Sequence, residues 1–203
     1  VDEVPGIIQG WFLGSEAGNA LAAVIVGDVN PSGRLPFTFP TSLENVGCHR
    51  MDAYPGVKRA SENIWDITYK EGIFVGYQPL FPFGHGLSYT SFSYGKATLD
   101  RNELSASDSI HVTVPVTNTG SVAGAEVVQL YVRDVKSSVA RPLKELKGFR
   151  KIQLAPGETK SVTFTIDKSS LSYFDDKQHV WVAEPGKFEA LVAASATDIK
   201  SKV

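Results

Sequence analysis

From Leu87 onward, apolar and polar residues alternate with a period of two. Ile110, Val112, Val114 and Val116 are interleaved with polar residues, and Asn118-Thr119-Gly120 closes that run. Val127 to Val132 predicts the next strand, Leu146 to Leu154 another, and Ala155-Pro156-Gly157 the turn after it. Val162, Phe164 and Ile166 alternate again. Leu171 to Phe174, Val180 to Ala183 and Phe188 to Val192 complete the series, with Glu184-Pro185-Gly186 between the last two. Short alternating strands separated by Gly/Pro turns predict an antiparallel β-sandwich with no helix interrupting it.

The N-terminal stretch follows a different pattern. Val4 to Phe12 predicts a short buried strand centred on Ile7 and Ile8. Gly14-Ser15-Glu16 then opens a helix, with Ser15 positioned to cap it and Glu16 suited to the positive end of its dipole. Ala17, Leu21, Val24 and Ile25 form one apolar face at helical spacing, and Gly27 is placed to stop the helix. Strand, tight loop and helix make an α/β unit, which cannot bury both faces alone. The rest of that domain is therefore expected upstream. Val1-Asp2-Glu3-Val4-Pro5, with no Met and no basic leader, is read as an internal cut.

Asp28 to Pro36 (DVNPSGRLP) is dense turn chemistry. It imitates the start of a calcium loop through Asp28, Asn30, Ser32 and Gly33. However, Phe39 stands where the bidentate Glu should be, so the turn reading prevails. Thr41 to Lys70 is irregular and polar, as befits an interface or site loop. It runs into an aromatic passage: Trp65, Tyr69, Phe74, Tyr77, Phe81, Phe83, Tyr89, Phe92 and Tyr94. These rings could form a carbohydrate platform. Filling a seam between two domains is the preferred alternative, because buried rings remove large apolar areas from water.

Composition narrows the function classes. Apolar residues make up 42% and charged residues 21%, enough to support a core, and the net charge of −2 gives no footprint for nucleic acid. Ala20 to Val26, the longest apolar run, is too short for a membrane span. Cys48 is alone, and His49, His85, His111 and His179 are not at metal-ligand spacing, so no metal and no cofactor is expected. Gly84-His85-Gly86-Leu87-Ser88 offers a His and a Ser without a nucleophile elbow or an orienting carboxylate. Among the carboxylates Glu16 stands nearest to where open α/β sheets bind ligands, but first-turn dipole compensation is the preferred account of it.

Two long motifs carry a family resemblance. Gly14-Ser15-Glu16-Ala17-Gly18-Asn19-Ala20-Leu21-Ala22, followed by Gly27 to Pro36, resembles the closing strand–helix of the α/β-sandwich domain of glycoside hydrolase family 3. Tyr69 to Tyr77 and Pro79 to Thr90 resemble that family's linker into its last domain. Arg141 to Phe149 (RPLKELKGF) and Ala155-Pro156-Gly157-Glu158 resemble its fibronectin type III-like module. The resemblance implies three parts: residues 1–60, the end of the α/β-sandwich domain; residues 61–86, an aromatic-rich linker; and residues 87–203, an immunoglobulin-like β-sandwich. It further implies a secreted or periplasmic, exo-acting retaining β-glycosidase acting on β-glucosides or oligosaccharides. Its catalytic residues would lie in upstream domains, and none in this chain. A carbohydrate-binding or adhesion module is the alternative. The family commonly has a longer stretch between its counterparts of Tyr77 and Pro79, where only Gln78 stands here.

Overall fold

A computed structural model describes residues 3–51, 53–74, 79–105 and 107–203. Tyr77 and its connection to Pro79 lie outside these. The N-terminal part holds helix α1 (Ala17–Ile25), strand β1 (Phe39–Pro40), the one-turn helix α2 (Gly47–Arg50), the two-residue strands β2 (Val57–Lys58) and β3 (Trp65–Asp66), and β4 (Pro79–Phe81). β2 pairs with β3 inside the loop expected to be irregular, and β4 returns to pair with β1, setting Phe81 opposite Phe39.

The sandwich follows as β5 (Phe92–Tyr94), β6 (Thr98–Leu99), β7 (Ser109–Asn118), β8 (Gly124–Asp134), β9 (Glu145–Leu154), β10 (Thr159–Asp167), helix α3 (Lys168–Leu171), β11 (Tyr173–Asp175), β12 (Val180–Val182), β13 (Phe188–Ala193) and β14 (Ile199–Lys202). One sheet runs β10-β7-β5, with β6 also on β7, and the other runs β14-β13-β8-β9. The predicted alternation fixes which side chains meet between them. Val112, Val114 and Val116 of β7 face Val128, Leu130 and Val132 of β8, with Val162, Phe164 and Ile166 of β10 alongside. The intervening β7 positions point outward, where Thr113 and Thr117 hydrogen-bond across to Thr163 and Thr159. Every buried member of this core lies beyond residue 92. The expected mainly β sandwich is therefore present, and it carries its own apolar interior.

Three local expectations are corrected. Val4 to Phe12 is not a buried strand: its backbone pairs with no strand among the described residues, and Ile7, Ile8 and Phe12 are exposed. An apolar run becomes a strand only when a neighbour takes its backbone hydrogen bonds, and none is present here. Ser15 does not cap α1. A 3₁₀ turn, Gly14–Glu16, precedes the helix, and Asn19 donates to Glu16 Oε2 at 2.7 Å instead. Ala17, Leu21 and Val24 are half-buried as expected, while Ile25 stays exposed. Gly27 ends the helix at φ 87°, a left-handed conformation that suits glycine. Finally, α3 does interrupt the sandwich. Asp167 nucleates it by accepting from the Ser170 amide, while the Ser170 side chain reaches back to the Asp167 amide.

Candidate functional site

The turn after α1 locks onto the sandwich through its polar residues. Asn30 Oδ1 accepts from the Ser88 hydroxyl and the Tyr89 amide, both at 2.9 Å, while its Nδ2 donates to the Ala123 carbonyl at 3.0 Å. The Tyr89 hydroxyl donates to the Val24 carbonyl at the end of α1. Arg34 Nη2 donates to both oxygens of Glu126, at 3.0 and 3.1 Å. Leu35 then exchanges backbone hydrogen bonds with His85 and Gly84. Gly84 sits at φ 82°, and a side chain there would run into the Gln129 amide.

These contacts border a groove of about 600 Å³ between the N-terminal part and the open end of the sandwich. Tyr94 and Glu126 line it beside Arg34, and the Tyr94 hydroxyl is buried without a partner among the described residues. Burial pushes that phenol's pKa up, and the nearby Glu126 charge adds to the effect. His85 stacks on Phe81 at 5.1 Å, and burial, aided by Arg34, pulls its pKa down. On the far wall Asp198 pairs with Lys200 at 2.8 Å, and the ammonium lies 5.9 Å from the Tyr94 ring centre. Glu126 and Asp198 are each engaged by a cation. The groove's chemistry is that of a fastened seam rather than a poised acid–base pair.

The residues singled out from sequence do not converge. The Ser88 hydroxyl turns to Asn30 rather than to His85. His111 bonds Asp100, His49 packs near Tyr54, and His179 stands in a separate hairpin. Cys48 is a half-buried free thiol. Asp66 is held in a fork by exposed Arg59 at 2.8 Å, and Glu16 bonds its own helix. The aromatic passage divides. Phe81, Phe83, Phe92 and Tyr94 are half-buried in the seam, where Trp11, Phe37, Phe39, Phe81 and His85 form a continuous chain of ring contacts. Trp65, Tyr69 and Phe74 face solvent.

Sequence reasoning missed the two polar residues on which the sandwich end depends. Both were detectable by phase. Glu126 falls in step with Val128, Leu130 and Val132, and Asn118 in step with Val112, Val114 and Val116, so each points inward. Asn118 is fully buried. It bonds the Thr90 hydroxyl, the Gly120 amide and the Val122 and Leu154 carbonyls, which ties the strand ends together.

The comparisons agree with this geometry. Residues 1–89 match the glycosyl hydrolase family 3 C-terminal domain, and residues 126–196 match the fibronectin type III-like domain. The chain is 51% identical over its whole length to "Beta-glucosidase BoGH3A" of Bacteroides ovatus and 46% identical to "Thermostable beta-glucosidase B" of Acetivibrio thermocellus, spanning 28% and 27% of those proteins. In the structure of β-glucosidase 3B from Thermotoga neapolitana in complex with α-D-glucose, 28% of the chain superposes on all of this one, with a TM-score of 0.87 at 36% identity. The Bifidobacterium adolescentis GH3 β-glucosidase gives 0.84 at 38% identity, over 96% of this chain and 28% of its own. The chain belongs to glycoside hydrolase family 3, of which it carries the C-terminal domain region and the fibronectin type III-like domain, and it spans about a quarter of the length of these relatives.

Proposed function

We propose that this chain is the C-terminal part of a retaining, exo-acting β-glycosidase that removes terminal sugars from β-glucosides or oligosaccharides. In this reading the sandwich supports the domain that precedes it, and the chemistry belongs to domains that the longer relatives carry upstream. The observation that carries the reading is the seam itself. The turn of the first matched region is fastened to the sandwich by Asn30 and by the forked Arg34–Glu126 pair. A domain tethered only as an independent binding module would not require such a buried charge pair. We further propose a secreted or periplasmic location, where such substrates are met.

The test is turnover of an aryl β-glucoside by the full-length protein, with the released anomer followed by NMR. Release of a terminal sugar with net retention is expected there, and none from the 203-residue chain alone. Inversion, or cleavage within a glycan chain, overturns the reaction class. The exposure of Trp65 and Phe74, at 50% and 51%, favours a second reading, in which these rings bind carbohydrate. Loss of oligosaccharide binding on Trp65→Ala at unchanged melting temperature supports it.

A further inference from the structure

The sandwich carries a second aromatic surface, far from the seam. β8 starts at Gly124, beside Asn30, and ends at Asp134, about 33 Å away at strand rise. At that far end Arg141 gathers the neighbouring segments. Its guanidinium bonds Glu145 at 2.7 Å, Asp134 at 3.5 Å and the Leu171 carbonyl at 2.9 Å, and it lies 5.8 Å from the Tyr173 ring centre. This fixes the β11–β12 hairpin, in which Phe174 is paired with Trp181. Alternation along the strands turns Tyr173 and Val182 inward and leaves Phe174 and Trp181 outward, 49% and 68% exposed.

The outward rings are ordered by the hairpin. Phe174 meets Trp181 edge-on, with ring centres 5.6 Å apart at 66°, which braces the indole and leaves it open to solvent. The turn is rigid because Asp175 accepts from the Lys177 and Gln178 amides and from the Gln178 side chain. His179 closes it at φ 54° and stands 6.4 Å from Phe174. Neither ring is a member of the sandwich core or packs against it.

We propose that Trp181, braced by Phe174, is a stacking platform for a sugar ring of a neutral β-linked glycan. Hexopyranose rings present an axial C–H face to an indole and hydroxyl groups to the surrounding polar side chains. The patch suits such an amphipathic ligand: it is one braced ring system, bordered by Asp175, Asp176, Lys177 and Gln178. The turn mixes the carboxylates of Asp175 and Asp176 with the ammonium of Lys177 and gathers no cluster of one sign, which suits a neutral partner. The choice of a glycan rests on the β-glycosidase reading above. The surface would hold a substrate chain to the protein at the end of the sandwich remote from the fastened seam.

The experiment is native electrophoresis of the 203-residue chain through gels containing a soluble mixed-linkage β-glucan, paired with thermal melts. Retardation of the parent chain is expected. It should be abolished by Trp181→Ala, reduced by Phe174→Ala, largely kept by Trp181→Phe and untouched by Trp65→Ala, all at unchanged melting temperature. An unretarded parent chain overturns the proposal. So does retardation that survives Trp181→Ala, or that disappears in Trp65→Ala. Hydrolysis of an aryl β-glucoside by the unsubstituted full-length protein is read separately. Failure of the platform and failure of the glycosidase reading are thereby distinguishable.

Discussion

Arg34 and Glu126 stand 92 residues apart in sequence and share a forked ion pair in which both side chains are over nine-tenths buried. Such a pair is strongly conditional. Each charge is tolerable only while the other is present, because an isolated buried charge loses its hydration without compensation. Arg34→Met should therefore destabilise the chain by about 3–5 kcal/mol. The double change Arg34→Met with Glu126→Leu should cost much less than the sum of the two single changes. Chemical denaturation of the four proteins measures this coupling; additive losses would mean that the pair is not mutually dependent.

Gly84 lies at the crossing of the linker over the β14-β13-β8-β9 sheet. Replacing it with Ala puts a Cβ into the Gln129 amide, which now donates to the Ala194 carbonyl and accepts from the Tyr131 hydroxyl. The new residue must also hold φ near 82°. Overpacking of this kind costs about 1–3 kcal/mol. The expected outcome is a lower denaturation midpoint in Gly84→Ala, together with a changed Tyr131 environment in near-ultraviolet circular dichroism. An unaltered midpoint would show that the linker does not rest on Gln129.

How far the sequence could be read depended on where the information lay. Strands such as β7 and β10 were legible because Val112–Val116 and Val162–Ile166 bury alternate residues whatever surrounds them. Residues 4–12 were misread for the opposite reason: hydrophobicity marks a wish for burial, while a strand needs a specific partner. Helix α3 escaped notice because its cap, Asp167 with Ser170, is a four-residue polar device with no apolar period. The seam was anticipated from its aromatic rings, yet its strongest fastening is polar. Arg34, Asn30 and Glu126 read as ordinary turn and strand residues until the topology brings them together.

The capping box at α3 gives a pH prediction. Asp167 accepts from the Ser169 hydroxyl at 2.6 Å and from the Ser170 amide at 2.9 Å, which lowers its pKa from an ordinary 3.8 to about 2. A depressed carboxyl pKa stabilises the fold above the unfolded value. That contribution fades as pH falls from 3.8 through about 2. Asp167→Ala should cost about 1 kcal/mol at neutral pH, in the usual range for a lost cap. The gap between the parent and variant melting curves should close progressively below pH 4. A gap that stays constant would remove the carboxylate from the account.

Carboxylates outside the sandwich give a catalytic prediction. A retaining glycosidase uses two carboxyl groups about 5–5.5 Å apart. Glu16 is tied to Asn19 and Asp66 to Arg59, and Glu71 is half-buried. In the full-length enzyme, replacing any of the three with Ala should leave turnover of an aryl β-glucoside within about tenfold of the parent, or about 1.4 kcal/mol of barrier. Turnover with and without azide is the decisive comparison, since azide can attack the sugar in place of a missing carboxylate. A collapse that azide reverses would place catalytic machinery in this chain.

The sandwich core supplies the last prediction. Its buried members all lie between residues 97 and 192, so residues 87–203 expressed alone should fold and melt cooperatively. Their stability should nevertheless fall below that of the whole chain, because Glu126 loses Arg34 and the Ser88 hydroxyl, the Tyr89 amide and the Ala123 carbonyl lose Asn30. The sign of one substitution then separates a self-sufficient sandwich from one completed by its neighbour. In the whole chain Glu126→Gln removes the partner of a buried guanidinium and should destabilise. In residues 87–203 the same change removes a carboxylate that has no cation to meet it, and should be neutral or stabilising. Measuring both by urea unfolding requires no assumption about the rest of the protein. Destabilisation of equal size in the two contexts would mean that Glu126 serves the sandwich itself, for instance through its bond from the Val127 amide, and that the seam is not where its charge is used.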